Sequence, residues 1–120
     1  MPVYDRRIVY EDVDKQIVLI TLPPGAETPI HDHGVSLGVV HVLSGEVSER
    51  YYRKQICDWS MWQGYKAGDT IRENGAHIHK VKNFGACPAV MLSIYYPPLH
   101  MNVYTPEALD YPRDDPTSDT

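Results

Sequence analysis

The sequence predicts an all-β protein, a double-stranded β-helix (jelly-roll) barrel with little helix, on three observations. Short runs rich in Val, Ile, Leu and Tyr recur at near-regular intervals. Gly, Pro and Asn turns punctuate them, and no stretch sustains a helical period. The 10 prolines and 8 glycines fit many turns, and 9 tyrosines suit strands better than helices. In 120 residues, 42% of them hydrophobic, one core is comfortable and two are not. A single domain is expected over residues 1–110, and residues 111–120, rich in Asp, Pro, Ser and Thr, read as a disordered tail.

Arg7–Tyr10 and Gln16–Leu22 read as the first strands, followed by the turn Pro23-Pro24-Gly25-Ala26. A histidine-bearing segment, Pro29–Gly34, runs into Leu37–Leu43, and a hairpin at Ser44-Gly45 leads to Glu46–Tyr52. Cys57–Tyr65 reads as a less regular excursion and Lys66–Asp69 as a turn. Thr70–Glu73 is a short strand before the Asn74-Gly75 turn, and Ile78–Val81 and the strong strand Pro88–Tyr96 complete the set. With Tyr95 facing inward, the two-residue period puts Ser93, Met91 and Ala89 beside it and Val90, Leu92 and Ile94 on the opposite face. That second face is too apolar to be left in water, so it needs a cover, and a homodimer is one expected solution.

The formal charge of −5 and the lack of a Lys/Arg cluster argue against nucleic acid as a partner. The first residues lack the apolar core of a signal peptide and no segment could span a bilayer, so no membrane role is expected. Cys57 and Cys87 lie in unrelated contexts and form no CxxC motif; free thiols in a cytoplasmic protein are the simplest account.

Three histidines carry the chemistry. His31 and His33 stand two apart in an extended segment, so both imidazoles can aim at one point. His79, in the short strand after Gly75, adds a third nitrogen from a neighbouring strand. Three imidazoles on one side of an ion leave open positions, as catalysis requires, whereas structural sites are usually closed. Neutral imidazoles cancel none of the ion's charge, so those positions favour an anionic ligand such as a thiolate.

The flanking residues resemble the two motifs of the cupin superfamily. In the first, His-x-His, four residues, Glu, six residues, Gly, the chain places His31, His33 and Gly45, with Gly38 where the glutamate belongs. In the second, Gly, five residues, Pro-x-Gly-x-x-His-x-x-x-Asn, Gly68, His79 and Asn83 fit while Asn74 and Ala76 replace the proline and glycine. A cupin that keeps three histidines and loses its glutamate resembles the thiol dioxygenases typified by cysteine dioxygenase. Leu43–Tyr51 resembles that branch's Leu-x-Gly-x-x-x-Glu stretch, Ile94–Leu99 its Tyr-Ser-Pro-Pro segment, and Tyr4–Val9 its Tyr-x-Arg segment. The likeness covers residues 4–104.

The resemblance implies Fe(II) held by His31, His33 and His79, a small carboxylate-bearing thiol as substrate, and O2 as co-substrate. Sulfur would take both oxygen atoms to give a sulfinate. Iron is preferred because O2 chemistry needs a redox-active metal, though the ligands alone leave Ni, Mn, Co and Zn open. Arg6 is implied as the clamp on the substrate carboxylate, with Arg7 as its fallback. Tyr95 is implied as the hydroxyl that steadies bound oxygen or that carboxylate.

Departures from the pattern leave the thiol's identity open between cysteine, 3-mercaptopropionate and other small thiols. Gly38 stands where some relatives carry a cysteine cross-linked to the tyrosine, so no thioether to Tyr95 is expected. Ser93 replaces the histidine that orients the tyrosine hydroxyl, and Met91 replaces a serine. The chain starts close to Arg6, without the helical N-terminal region of full-length relatives, so a more open pocket is expected. Two other readings stay open: a cupin oxygenase or lyase acting on a non-thiol carboxylate or biosynthetic intermediate, and a non-catalytic cupin that binds a metal or small ligand. His77 reads as a rim residue and His100 as a surface one. His41 should face outward because Gly38, Val40 and Val42 face in. Glu49 reads as structural, and Trp59 and Trp62 as caps on the barrel.

Overall fold

The computed structural model describes residues 3–52, 61–75, 77–99 and 101–105. Among them ten strands and no helix form two five-stranded antiparallel sheets, the double-stranded β-helix that the sequence predicts. One sheet runs β1 (Asp5–Glu11), β2 (Gln16–Leu22), β9 (Ala89–Tyr96), β4 (Leu37–Ser44), β7 (Thr70–Glu73). The other runs β10 (Asn102–Tyr104), β3 (Ile30–Asp32), β8 (Ile78–Lys82), β5 (Glu46–Tyr52), β6 (Gln63–Lys66). No helix among the described residues is long and apolar enough to cross a membrane.

Period-two alternation builds the core. In β2 and β9 every second residue is buried, so Val18, Ile20 and Leu22 face Ser93, Met91 and Ala89 across the β2–β9 pairing. Val40, Val42, Val47, Ile71 and Val81 join them from four further strands. Each such side chain contributes about 1.5–3 kcal/mol by leaving water. The opposite face of the first sheet carries Ile17, Leu19, Val39, Val90, Leu92 and Ile94, all half-buried in the single chain.

Two strands lie beyond what the sequence predicts. β6 falls where an irregular excursion and a turn are expected. It is an edge strand with mostly exposed, polar residues, so it leaves no hydrophobic alternation to read. β10 is only three residues long, and Asp32 holds it: the carboxylate accepts from Tyr104 Oη at 2.5 Å and from Asn102 Nδ2 at 2.9 Å. β3 is equally short, and His33 lies just past its end rather than within it. The expected tail (111–120), Cys57, Trp59 and His100 lie outside the described residues. Trp62 stacks edge-on against Phe84 and beneath Lys80, whose side chain alternates away from the pocket-facing His79 and Val81. It therefore covers the outside of the second sheet rather than the barrel mouth.

Candidate metal centre

His31 comes from β3, His33 from the turn that follows, and His79 from β8, where it is the direct cross-strand partner of His31. All three are buried, their ring centroids lie 4.5–5.0 Å apart, and one nitrogen from each falls within 4.8 Å of the others. The turn depends on Gly75. Its carbonyl accepts the His33 N–H at 2.9 Å, and a Cβ there would collide with the carbonyl oxygens of Gly34 and Ser36. Only glycine lets the two loops approach that closely.

Hydrogen bonds set the tautomers. His31 Nδ1 lies 2.6 Å from the Pro29 carbonyl, which can only accept, so Nδ1 carries the proton and the Nε2 lone pair is free. His79 Nδ1 donates to Glu49 Oε2 at 2.6 Å, which frees its Nε2 in the same way. That Nε2 lies 3.4 Å from His33 Nε2. Two nitrogens bound to one tetrahedral ion at about 2.1 Å stand about 3.4 Å apart, so this spacing fits a shared cation. His33 Nδ1 is buried without a hydrogen-bond partner among the described residues. Burial, and then the charge of neighbouring His79, push the His31 pKa down to about 4 and that of His33 to about 3. Both rings are therefore neutral at pH 7, as metal ligands must be. The residues present could hold a metal ion.

Two carboxylates lie behind His79. Glu49, on β5, and Glu73, on β7, are both almost fully buried, and Glu73 Oε2 is 3.7 Å from His79 Nδ1. Burial first, and then the Glu49 charge, push the Glu73 carboxyl far above the usual range. Burial opposes ionisation of Glu49 as well, but its contacts with His79 and Glu73 outweigh that and lower its pKa. The pair thus shares one proton, with the charge on Glu49. Tyr51 stacks on the His79 ring at 6.0 Å, and its hydroxyl sits with Glu49.

The facing wall comes from the other sheet. Gly38, where the cupin glutamate belongs, pairs with Tyr95 on one side and Glu73 on the other. A Cβ at Gly38 would meet Tyr95 Cδ1 at 2.9 Å and Glu73 Cβ at 3.2 Å, so the tyrosine ring occupies the space a side chain there would need. Burial pushes the Tyr95 pKa up to about 12, which keeps the phenol protonated. Ser93 is fully buried beside it and close enough to temper that rise, yet among the described residues its hydroxyl makes no well-formed hydrogen bond. Histidines, Glu73, Ser93 and Tyr95 line one cavity, whose remaining walls are Ile20, Thr28, Val40, Ile71, Val81 and Met91. Arg6 is half-buried on β1 opposite Ile20, and its charge is felt by His31, His33 and Tyr95. Arg7 points to the exposed face, toward Asp5.

His31, His33, His79 and Tyr95 line one cavity and Arg6 stands across from its wall residue Ile20, while exposed His77 packs on Tyr51 and His41 contacts Thr70 on the outer face. Sequence reasoning missed Glu73 and Gln16, the residue to which Arg6 is bonded, and it read Glu49 as merely structural. Each sits at an inward position of its strand: Glu73 shares parity with Ile71, and Gln16 with Val18 and Ile20. A polar residue on an otherwise apolar face was the available signal.

Among solved structures, a Klebsiella pneumoniae protein with a double-stranded β-helix domain aligns with a TM-score of 0.74 at 23% identity, covering 85% of this chain and 84% of that one. A Bacillus halodurans protein gives 0.71 at 20% identity, covering 82% and 74%, and one from Thermus thermophilus gives 0.68 at 24%, covering 79% and 84%. These likenesses establish the fold. Residues 4–105 match the family described as cysteine dioxygenase type I. That span reaches from the residue before β1 to the residue after β10, taking in both motifs and the wall that faces them, and the chain belongs to the cysteine dioxygenase type I family of cupins.

Proposed function

We propose that this protein is an Fe(II)-dependent thiol dioxygenase of the cytoplasm that converts a small carboxylate-bearing thiol, cysteine or a close analogue, into its sulfinate. The observation that carries this reading is the meeting of three imidazoles, with no carboxylate among them, beside a buried phenol, with an arginine near enough for its charge to act on His31, His33 and Tyr95. Fe(II) held by His31, His33 and His79 would supply affinity for thiolate and O2 and the electrons that O2 activation needs. In the balanced reaction RSH and O2 give RSO2− and H+. Two S–O bonds form, the O–O bond breaks, and sulfur loses the four electrons that O2 gains.

The chain's own residues orient and exclude. Arg6 offers a two-pronged donor to the carboxylate, which fixes direction as well as charge. Tyr95 stays protonated at neutral pH and can donate a hydrogen bond into the cavity. Glu49 keeps the His79 proton on Nδ1, so the Nε2 lone pair stays presented. The aliphatic wall keeps water out and strengthens each polar contact. A reducing cytoplasm suits Fe(II) and a thiol substrate, and Cys87 is itself a free thiol.

Anaerobic loading with Fe(II), followed by oxygen uptake across a panel of thiols, tests the reading. Uptake matched by sulfinate formation from a carboxylate-bearing thiol is expected, and His79→Ala should abolish iron binding and turnover together. Turnover that survived His79→Ala would overturn the metal assignment. Uptake only with non-thiol acids would reassign the pocket to another substrate class.

A further inference from the structure

Gln16 opens β2 and is only 5% exposed. It stands directly across from Tyr95 in the β2–β9 register and from Glu11 in the β1–β2 register. Residues paired across adjacent strands share a face, so Gln16 lies on the pocket side with Tyr95. Its amide is used at both ends. Arg6 Nη2 donates to Oε1 at 3.1 Å, and Nε2 donates to Glu11 Oε2 at 2.6 Å. A guanidinium can only donate and an ionised carboxylate can only accept, so the two neighbours fix which way the amide points. Arg6 lies across from the cavity-lining Ile20, and among the described residues its one hydrogen bond is this one.

The choice of a glutamine has consequences. A carboxylate at this position would neutralise the guanidinium, and an alkyl group would leave it unanchored. An amide supplies an acceptor without a charge, and the nearest anchoring charge, on exposed Glu11, is kept one side chain away. We propose that Gln16 is a positioning residue that holds Arg6 at the pocket with its charge uncompensated, and so sets the pocket's preference for carboxylate-bearing ligands. This rests on the reading of the pocket given above.

Wild type, Gln16→Leu and Gln16→Glu are loaded anaerobically with Fe(II), and binding of 3-mercaptopropionate and 2-mercaptoethanol is measured by calorimetry; turnover of both follows with O2. Gln16→Glu should weaken 3-mercaptopropionate binding about tenfold or more, and Gln16→Leu by about threefold to tenfold. The Kd for 2-mercaptoethanol should move less than about twofold in either variant, and the turnover effect should appear in KM rather than kcat. Added to Arg6→Ala, Gln16→Leu should cost nothing further, because the two act as a unit.

Equal losses for both thiols, additivity with Arg6→Ala, or a wild type with no preference for the carboxylate thiol would overturn the proposal. If neither Gln16 variant folds, Glu11→Gln decides. Loosening the amide should weaken 3-mercaptopropionate binding about twofold to fourfold and leave 2-mercaptoethanol alone, and no change there would also overturn it. Carboxylate preference that responds to Gln16 in a protein that oxidises no thiol would sink the dioxygenase reading and leave the role of Gln16 standing.

Discussion

The three imidazoles come from the sheet β10-β3-β8-β5-β6 and the turn that follows β3, whereas Ser93 and Tyr95, which line the same cavity, and Arg6, Gln16 and Gly38 beside them belong to β1-β2-β9-β4-β7. In the first set each histidine has its own hydrogen-bonded support: Pro29 on His31, Gly75 on His33, Glu49 on His79. The second set exists only through register between distant strands, as in the pairs Gln16–Tyr95, Gly38–Tyr95 and Gly38–Glu73. On the proposed function, holding an ion and choosing a ligand fall to separate parts, and single substitutions should alter one while sparing the other. Glu73 is the exception, since it reaches from the facing sheet to His79.

The division can be broken most directly at Glu49. Glu49→Gln keeps an acceptor for His79 Nδ1 but removes the charge, and metal affinity should fall about 10–100-fold by competition with a chelator. Arg6→Ala should leave that affinity within about twofold, because it belongs to the other set.

The pH profile sharpens the exception. Unfolded histidines take up protons below about 6.5, while folded His31 and His33 resist until about 4 and 3. Over that interval the unfolded chain binds more protons, so stability falls as pH falls. Glu73 acts with the opposite sign. Its folded pKa is raised, so the stability it contributes is lost as pH rises above 4.5. Two rings outweigh one carboxyl below 6.5, and above it only the carboxyl acts, so these groups put the stability maximum of the metal-free protein near 6.5. Thermal midpoints measured across pH should trace that maximum, and Glu73→Gln should flatten its alkaline side.

A smaller effect belongs to Asp32, between His31 and His33. Asp32→Ala removes the acceptor for Asn102 and Tyr104 and should cost about 1–2 kcal/mol in urea denaturation. Faster amide exchange confined to β10 would locate the loss; unchanged exchange there would show that Asp32 does not hold the strand.

The same contrast explains what the sequence could reveal. His31, His33, His79 and Asn83 lie in short strings whose spacing is itself the signal, and the alternation in β2, β4 and β9 fixed which residues face inward. Gln16 and Glu73 carry no motif, and their partners depend on a register that is decided only when the barrel closes. β6 escaped because an edge strand wet on both faces has no period, and β10 because three residues are too few to show one.

The tyrosine ring packed over Gly38 bears on how such a barrel can change its chemistry. A side chain at that position and the Tyr95 ring as it lies here compete for one volume, so adding one requires the ring to shift. An acid introduced there alone would press on the Tyr95 ring and on the Glu73 side chain before any ligand was gained. Passage between a four-ligand cupin and this one needs coordinated exchange on β4 and β9, which makes the glycine a commitment rather than a vacancy.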